Sequence, residues 1–337
     1  MQKLDDIINS KLKYVLNHPY YSGKHTIVPK KFIAEKIYSQ EFLTFEEKKE
    51  YSLSGILMTQ REAGCGRTFF YPYKVYNNPS RFVEVKGYGQ DGQDMRLWLH
   101  SSNDILFGSF FKNSEREYLI MEKAFNSGLH IPMPLLLGRI HKEEWLKSGL
   151  KVASNLILSR SDSENNLENR FSMSNLDLLE EYLKTELDLP ISKNPLGAFN
   201  QGDDAGFIIR APLSPFRLGD PEEKYKLNEK VIEITKTAGK TFYNLIELGY
   251  LHLCPSTGNI TTAGELTDLA DCYDLKEESN LAEIIKDREN KIQFDFWMDL
   301  IGPRHLSNLY PFFIEGIFGS KLSLLDASKE LKAMIST

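Results

Sequence analysis

The chain has 337 residues, more than the usual single domain, so two lobes or one large domain with insertions are expected. Its 41% hydrophobic and 26% charged residues are typical of a globular protein and exclude a disordered or fibrous one. The net charge of -6 disfavours broad nucleic-acid binding, which requires a basic surface.

The cysteines and the apolar segments restrict the compartment. Cys65, Cys254 and Cys272 form no CxxC pair, which fits neither a disulfide framework nor a structural zinc site and favours a reducing environment. No stretch approaches about 18 uninterrupted apolar residues, so no membrane span is predicted. Residues 1–16 lack the apolar run of a secretory signal and predict a helix instead. We expect a cytoplasmic protein, and delivery into another cell as an effector stays open.

The first half of the chain favours strands. Residues 26–100 are rich in aromatic and β-branched residues punctuated by glycine, which predicts a small antiparallel sheet that includes MRLWLH. The next segment predicts a helix that Ser114 caps and Gly128 ends, followed by a strand at LLLGRI. The polar stretch Ser159–Arg170 predicts a lobe boundary or a surface insertion.

The second half favours helices. LDLLEEYLKTEL predicts one helix, and GFIIRAPLSPFRLGD predicts a strand that leads into a loop. The clearest helix is predicted from Glu222 to Leu248, ended by Gly249. Two hairpin strands, NITT and ELTDL, are expected on either side of Ala263 and Gly264, with helices over the last 60 or so residues. The apolar face of the clearest helix is formed by Leu227, Val231, Ile234, Ala238, Phe242, Leu245 and Ile246.

This order of elements predicts an α+β fold of the bilobal protein-kinase type, although other α+β folds share it. The β-rich N-lobe, with one key helix, is expected over residues 1–158. The mostly helical C-lobe is expected over residues 159–337.

Several residues suit a nucleoside triphosphate, which requires cations for its phosphates and carboxylate or amide oxygens for Mg²⁺. Strand alternation places Glu84 and Lys86 on one face of FVEVK. The following helix offers Glu115, Glu117 and Glu122 to orient Lys86. Glu117 and Glu122 differ by about 140° around a helix, so only one of them can face the lysine.

The stretch YLHLCPSTGNITTAGELTDLADC has the register of a kinase catalytic loop followed by a metal-binding aspartate, at His252, Asn259 and Asp268. We expect His252 to support the loop rather than act as an acid or base. Cys254 occupies the position of the kinase catalytic aspartate, and DLA replaces the motif DFG. A conventional protein kinase is therefore disfavoured.

Four patches in the chain resemble the selenoprotein O family of kinase-fold protein adenylyltransferases. VKGYG is similar to the lysine-glycine-x-glycine strand end of that family, and REYLIMEKAFNSGLHIP to its arginine-glutamate-phenylalanine helix. RAPLSPFRLG is similar to its two arginines seven apart followed by glycine, and LHLCPSTGNITTAGELTD to its metal-binding loop. The patches follow in the order of the family from Lys86 to Asp268.

The resemblance implies a kinase fold that binds ATP in reversed orientation, transfers AMP to a hydroxyl group of a protein or small molecule, and releases pyrophosphate. It implies that Glu117 is the partner of Lys86 and that Asn259 and Asp268 bind Mg²⁺ or Mn²⁺. The residues implied in nucleotide and phosphate binding are Lys86, Gly87, Gly89, Arg210 and Arg217.

The chain departs from the family at the expected base. Gly258 stands where the family has an aspartate before the metal-binding asparagine, and Asp220 and Asp271 are candidate substitutes. General bases contribute about 10²- to 10⁴-fold, so nucleotide binding is better supported than transfer. Two alternatives stay open: a phosphotransferase that uses the same residues, and a catalytically weak pseudokinase or scaffold.

Overall fold

The protein is described by a computed structural model over residues 24–27, 31–37, 49–52, 56–59, 68–72, 82–87, 104–105, 108–141, 204–219, 227–276, 281, 285 and 295–336. The chain divides into two compact units. The first comprises Met1–Asn78, Phe82–Tyr118 and Pro134–Arg210, and the second Pro79–Arg81, Leu119–Met133 and Ala211–Thr337.

Some sequence predictions lie outside the described residues. They are the N-terminal helix, the strand MRLWLH, the polar stretch Ser159–Arg170, the helix LDLLEEYLKTEL, and the residues Gly89 and Asp220.

Helices and antiparallel sheets together give the α+β class that the order of elements predicts. The early strands are β1 (Lys24–Ile27), β2 (Lys31–Ile37), β3 (Lys49–Ser52), β4 (Ile56–Thr59), β5 (Thr68–Pro72), β6 (Phe82–Lys86), β7 (Asp104–Ile105) and β8 (Gly108–Phe110). Helix α1 (Phe111–Asn126), β9 (Met133–Ile140) and β10 (Ala205–Ala211) follow. The strand predicted at LLLGRI is thereby confirmed.

The main element of the first unit is an eight-stranded sheet. Its strands run β3-β2-β9-β10-β6-β5, β8 pairs with β10 and β7, and a separate antiparallel pair joins β1 to β4. Every residue of β10 is buried, as expected for an inner strand. Helix α1 lies tightly against β10, because a Cβ at Gly206 would come within 2.7 Å of the Phe111 Cα.

Helix α1 begins earlier than predicted. It starts at Phe111, so Ser114 lies inside the first turns and is buried instead of capping the helix. The Phe111 N–H donates to the carbonyl of Asp204, which anchors the first turn to the residue before β10. The predicted end is confirmed, since the helix stops at Asn126 and Gly128 adopts φ +77°.

The second unit is built on helix α2 (Glu229–Glu247), which is shorter than predicted. Asn228 caps it by accepting a hydrogen bond from the Val231 N–H, and this local cap, rather than the apolar pattern, sets the start. Leu227 therefore precedes the helix and is 48% exposed. Gly249 ends the helix at φ +93°, as predicted.

The hairpin predicted around Ala263 and Gly264 is a tight turn rather than two strands. A single antiparallel bridge joins Ile260 to Leu266, and Gly264 adopts φ +87°. The Thr261 hydroxyl accepts hydrogen bonds from the Ala263 and Glu265 N–H groups. These side-chain contacts take the place of a longer ladder. The strands near the turn are β11 (Tyr250–His252) and β12 (Cys272–Asp274), which pair antiparallel.

The helical C-terminal region is confirmed over residues 296–336, which form α3 (Phe296–Leu300), α4 (Pro303–Leu306), α5 (Tyr310–Phe318) and α6 (Leu324–Ser336). Helices α2 and α5 cross at glycines. A Cβ at Gly239 would lie 2.2 Å from the Phe313 carbonyl oxygen, and one at Gly316 the same distance from that of Lys236. Among the described residues, no helix has the length and apolarity needed to cross a membrane.

The helix crossing predicts that Gly239→Ala destabilises the protein although alanine favours helices. The added methyl group must push α5 away, and overpacking of this kind costs about 1–3 kcal/mol. Urea unfolding of the variant measures the loss. Lys240→Ala, at the exposed neighbouring position of the same helix, is the control and should change the free energy of unfolding by less than about 0.5 kcal/mol. Equal stability of the two variants would contradict the tight crossing.

Candidate functional site

A charged cluster, defined as Glu84, Lys86, Glu117 and Arg210, forms in the first unit. Alternation along β6 places Glu84 and Lys86 on one face of the sheet. Strand β10 runs antiparallel to β6 with Arg210 directly opposite Glu84, so this pair shares the face. Glu117 comes from helix α1. A shift of one residue in the register would move Arg210 to the other face.

The distances in the charged cluster are those of direct ion pairs. The Lys86 Nζ lies 3.1 and 2.9 Å from the two Glu117 carboxylate oxygens. Arg210 holds Glu84 with two donors, its Nε to Oε2 at 2.8 Å and its Nη2 to Oε1 at 2.5 Å. Its Nη1 donates to the Glu117 Oε1 at 2.9 Å. Glu117 therefore receives hydrogen bonds from both cations.

The charged cluster is mostly buried, so its positive and negative charges must balance. Glu84, Glu117 and Arg210 are almost wholly buried, and the Lys86 side chain is 18% exposed. Removing a charge from water is costly unless it is paired and hydrogen-bonded. Two carboxylates and two cations meet this requirement, and Lys86 is the member that reaches solvent most.

The charged cluster contains the ion pair expected between Lys86 and Glu117. Glu115 and Glu122, the other carboxylates considered, are partly exposed. The implied phosphate role of Arg210 stays a prediction, because its described donors contact Glu84 and Glu117. The contribution of Glu84 was not predicted from the sequence. A carboxylate two positions before the lysine on the same strand face is the signal that points to it.

Gly87 follows the charged cluster directly. It is buried and adopts φ +84°, a conformation that favours glycine, so the chain turns sharply after Lys86. A turn of this kind allows main chain to approach a ligand closely.

In the second unit, His252 supports the loop that carries the other predicted site residues. Its ring is buried, its Nδ1 accepts from the Cys254 N–H at 3.1 Å, and its Nε2 lies 2.9 Å from the Thr267 carbonyl oxygen. An Nδ1 that accepts from an amide carries no proton, so Nε2 must be the donor. Both ring nitrogens are thus committed to the main chain, which leaves neither to act as an acid or base.

Asn259 presents an amide oxygen that has no hydrogen-bond partner among the described residues. Its Nδ2 donates to the Cys254 carbonyl oxygen at 2.9 Å, which orients the amide group. Within the described part of the chain, the Asn259 Oδ1 has no hydrogen-bond partner. An oriented amide oxygen of this kind is a suitable ligand for a hard cation.

Asp268 follows Thr267, whose N–H and hydroxyl both donate to the Asn259 carbonyl oxygen, at 2.8 and 3.1 Å. The main chain therefore brings residue 268 next to the Asn259 segment. Asp268 adopts φ 63° and ψ 50°, the left-handed conformation. Non-glycine residues in this conformation are uncommon and often occur at functional sites.

Arg217 is joined to the same loop. It forms an antiparallel bridge with Thr261, and its Nη1 donates to the Thr267 hydroxyl at 2.5 Å. Gly219, two residues further along the chain, packs closely against the same loop, because a Cβ there would lie 2.9 Å from the Thr257 Oγ1. The second unit thus brings Arg217, His252, Asn259 and Asp268 together.

Two buried polar residues hold these segments in place, and sequence analysis did not identify either. Thr267 accepts a hydrogen bond from Arg217 through its hydroxyl, donates to the Asn259 carbonyl oxygen, and presents its own carbonyl oxygen to His252. The Glu265 carboxylate accepts from the Leu213 N–H at 3.0 and 2.9 Å and from the Thr261 hydroxyl at 3.0 Å. Their sequence signal is weak, since a threonine and a glutamate beside a turn are common on surfaces.

The residue at the position of the expected general base is a glycine and has no side chain. Gly258 is exposed at the turn before Asn259. Cys254 contacts a different element, with its Sγ 3.8 Å from the His305 Nδ1. Asp271 lies in a short 3₁₀ turn, Leu269–Asp271, after Asp268.

No protein-family model matches the chain, and no curated protein matches its sequence. Among the described residues, no group of three or more histidine, cysteine, aspartate or glutamate side chains is arranged to hold a metal ion.

The contacts of Thr267 predict that Thr267→Val destabilises the second unit. Valine keeps the volume but leaves the buried Arg217 N–H and the Asn259 carbonyl oxygen each short of one hydrogen bond, which costs about 1–3 kcal/mol. Urea unfolding measures this change. The matched control is Thr237→Val on the exposed side of α2, where little effect is expected. A Thr267→Val variant as stable as its control would contradict the assigned role.

Proposed function

We propose that the protein is an ATP- and Mg²⁺-dependent nucleotidyltransferase of bilobal kinase-like fold that moves AMP to a hydroxyl group of a protein or small molecule. The observation that carries the proposal is the ion pair of Lys86 and Glu117, a strand lysine held by a buried helix carboxylate. Such an ammonium group has its charge and direction set before a phosphate arrives.

Phosphate binding is assigned to Lys86 and Arg217. Lys86 neutralises phosphate charge, and the ion pair with Glu117 fixes the position of the Lys86 ammonium group. Arg217 supplies a guanidinium group, whose planar donors match phosphate oxygens. Its Nη1 is held by Thr267, so the direction of this guanidinium is also set.

Asn259 and Asp268 would hold Mg²⁺, and their chemistry fits this ion. The oriented Asn259 Oδ1 and the Asp268 carboxylate offer two oxygen ligands. Mg²⁺ in nucleotide sites takes one or two protein carboxylates and completes its shell with phosphate oxygens and water. When bound, the ion neutralises charge on the phosphates and on the leaving group.

In the proposed reaction the acceptor oxygen forms a bond to the α-phosphorus of ATP. The bond from that phosphorus to the bridging oxygen breaks, and the electron pair leaves with pyrophosphate. The hydroxyl proton passes to solvent, because Gly258 supplies no base. Catalysis then depends mainly on position and charge neutralisation, as in other phosphoryl-type transfers.

Labelled ATP tests the reaction type. With acceptor present as a whole-cell protein extract or as the protein itself, label from the α-phosphate is expected in the product and label from the γ-phosphate is not. Transfer of the γ-label alone would instead establish a phosphotransferase. Heat-denatured protein is the control for adventitious labelling.

Nucleotide binding is tested by thermal unfolding with ATP and Mg²⁺. A ligand at about 100 times its Kd stabilises the folded state by about 2.7 kcal/mol, so the melting temperature should rise by several degrees. Lys86→Met and Asp268→Asn should each abolish most of this rise. Asparagine also tolerates the left-handed conformation, so Asp268→Asn removes the charge without forcing the backbone to change.

Matched controls for these variants are Lys112→Met and Asp326→Asn, both at exposed positions. They should show the full rise in melting temperature. A rise that persists in Asp268→Asn, or that needs no divalent ion, would overturn the assigned metal site.

A nucleotide-binding protein without transfer activity is the second candidate. The absence of a side chain at Gly258 favours it, since a general base contributes about 10²- to 10⁴-fold. ATP- and Mg²⁺-dependent stabilisation without label transfer to any acceptor would select this candidate.

A further inference from the structure

Arg210 lies deeper in the protein than a phosphate ligand needs to. Its side chain is 2% exposed, and three of its donors contact carboxylates. Two of these are directed at Glu84, which is wholly buried and is its direct cross-strand neighbour. The pair of Glu84 and Arg210 thus forms a support behind the pair of Lys86 and Glu117.

We propose that Glu84 and Arg210 are positioning residues that hold Glu117, and through it the ammonium group of Lys86. The purpose of this arrangement rests on the proposed function, in which Lys86 binds phosphate. Arg210 then acts through a carboxylate instead of contacting the nucleotide.

One carboxylate, that of Glu117, is divided between two cations. The Glu117 Oε1 accepts from Lys86 at 3.1 Å and from Arg210 at 2.9 Å. Arg210 also donates two hydrogen bonds to Glu84, which neutralises much of its charge and weakens its hold on Glu117. Without the charge of Glu84, Arg210 would compete more strongly with Lys86 for Glu117. Glu84 therefore determines how much of Glu117 is available to Lys86.

The shape of the guanidinium group explains why an arginine stands at this position. Its Nε and Nη2 form one edge that binds the two Glu84 oxygens, while Nη1 is directed to Glu117. A lysine has a single nitrogen and cannot hold both carboxylates in this fork.

The experiment uses the full chain with Glu84→Gln, Arg210→Met and the double variant. Isothermal titration with ATP and Mg²⁺ is expected to show that each single change weakens binding by about tenfold or more, since misplaced groups cost up to about 10²-fold. The double variant removes a neutral pair and leaves Lys86 with its own carboxylate. It should bind ATP better than either single variant.

Direct binding of phosphate by Arg210 predicts a different result. Glu84→Gln would then free the guanidinium and strengthen ATP binding, and the double variant would be as weak as Arg210→Met. Either finding would overturn the proposal. If the single variants do not fold, the charge-balanced double variant decides. Weaker ATP binding together with a more reactive Lys86 amine supports the proposal, whereas unchanged ATP binding, or weaker binding with an unchanged reactivity of Lys86, overturns it.

A second measurement does not depend on ATP. Acetylation of lysines by an N-hydroxysuccinimide ester, followed by peptide mass spectrometry, reports how firmly Lys86 is held. Glu84→Gln should raise the labelling of Lys86 several-fold, while the exposed Lys112 serves as reference in the same digest. Unchanged labelling of Lys86 would overturn the positioning role. Failure of the original protein to bind ATP would overturn only the proposed function.

Discussion

The burial of four formal charges at the junction of β6, β10 and α1 is the constraint on which the first unit depends. Ions in a low-dielectric interior are tolerated only when every charge is paired and its hydrogen bonds are satisfied. Glu84, Arg210 and Glu117 satisfy one another, and Lys86 completes the balance at the edge of solvent. Hydrophobic residues of similar volume often replace a buried ion pair without loss of stability, so buried charges of this kind are weak evidence for a purely stabilising role.

The second unit satisfies buried polar groups through hydrogen bonds between side chains and the main chain. Its loop is held by bonds from side chains to the main chain, from His252, Thr267, Asn259 and Glu265. Short loops with few ladder bonds must satisfy their buried amides in this way. The consequence is a loop whose polar side chains are mostly committed to holding its shape, with the oxygen of Asn259 as an exception among the described residues.

Local sequence signals predicted the ends of helices better than they predicted which strands and side chains pair. Gly128 and Gly249 mark helix ends because glycine adopts positive φ without strain, and this depends on few neighbours. The opposition of Arg210 to Glu84 depends on the register of strands that are more than 120 residues apart in the chain. No local pattern specifies that register. The pairing of Lys86 with Glu117 was expected only because the resemblance selected one of the three glutamates on the helix.

Gly258 and His252 together limit the chemistry that the loop can perform. His252 has both ring nitrogens bonded to the main chain, and Gly258 has no side chain, so neither takes a proton from an acceptor. The proposed transfer would therefore depend on charge neutralisation and on the position of the reactants, which supply most of the catalysis in loose phosphoryl-type transition states. Precise placement of Lys86 then matters more than it would in an enzyme with a base, which is why a buried support of Glu84 and Arg210 behind it is physically reasonable.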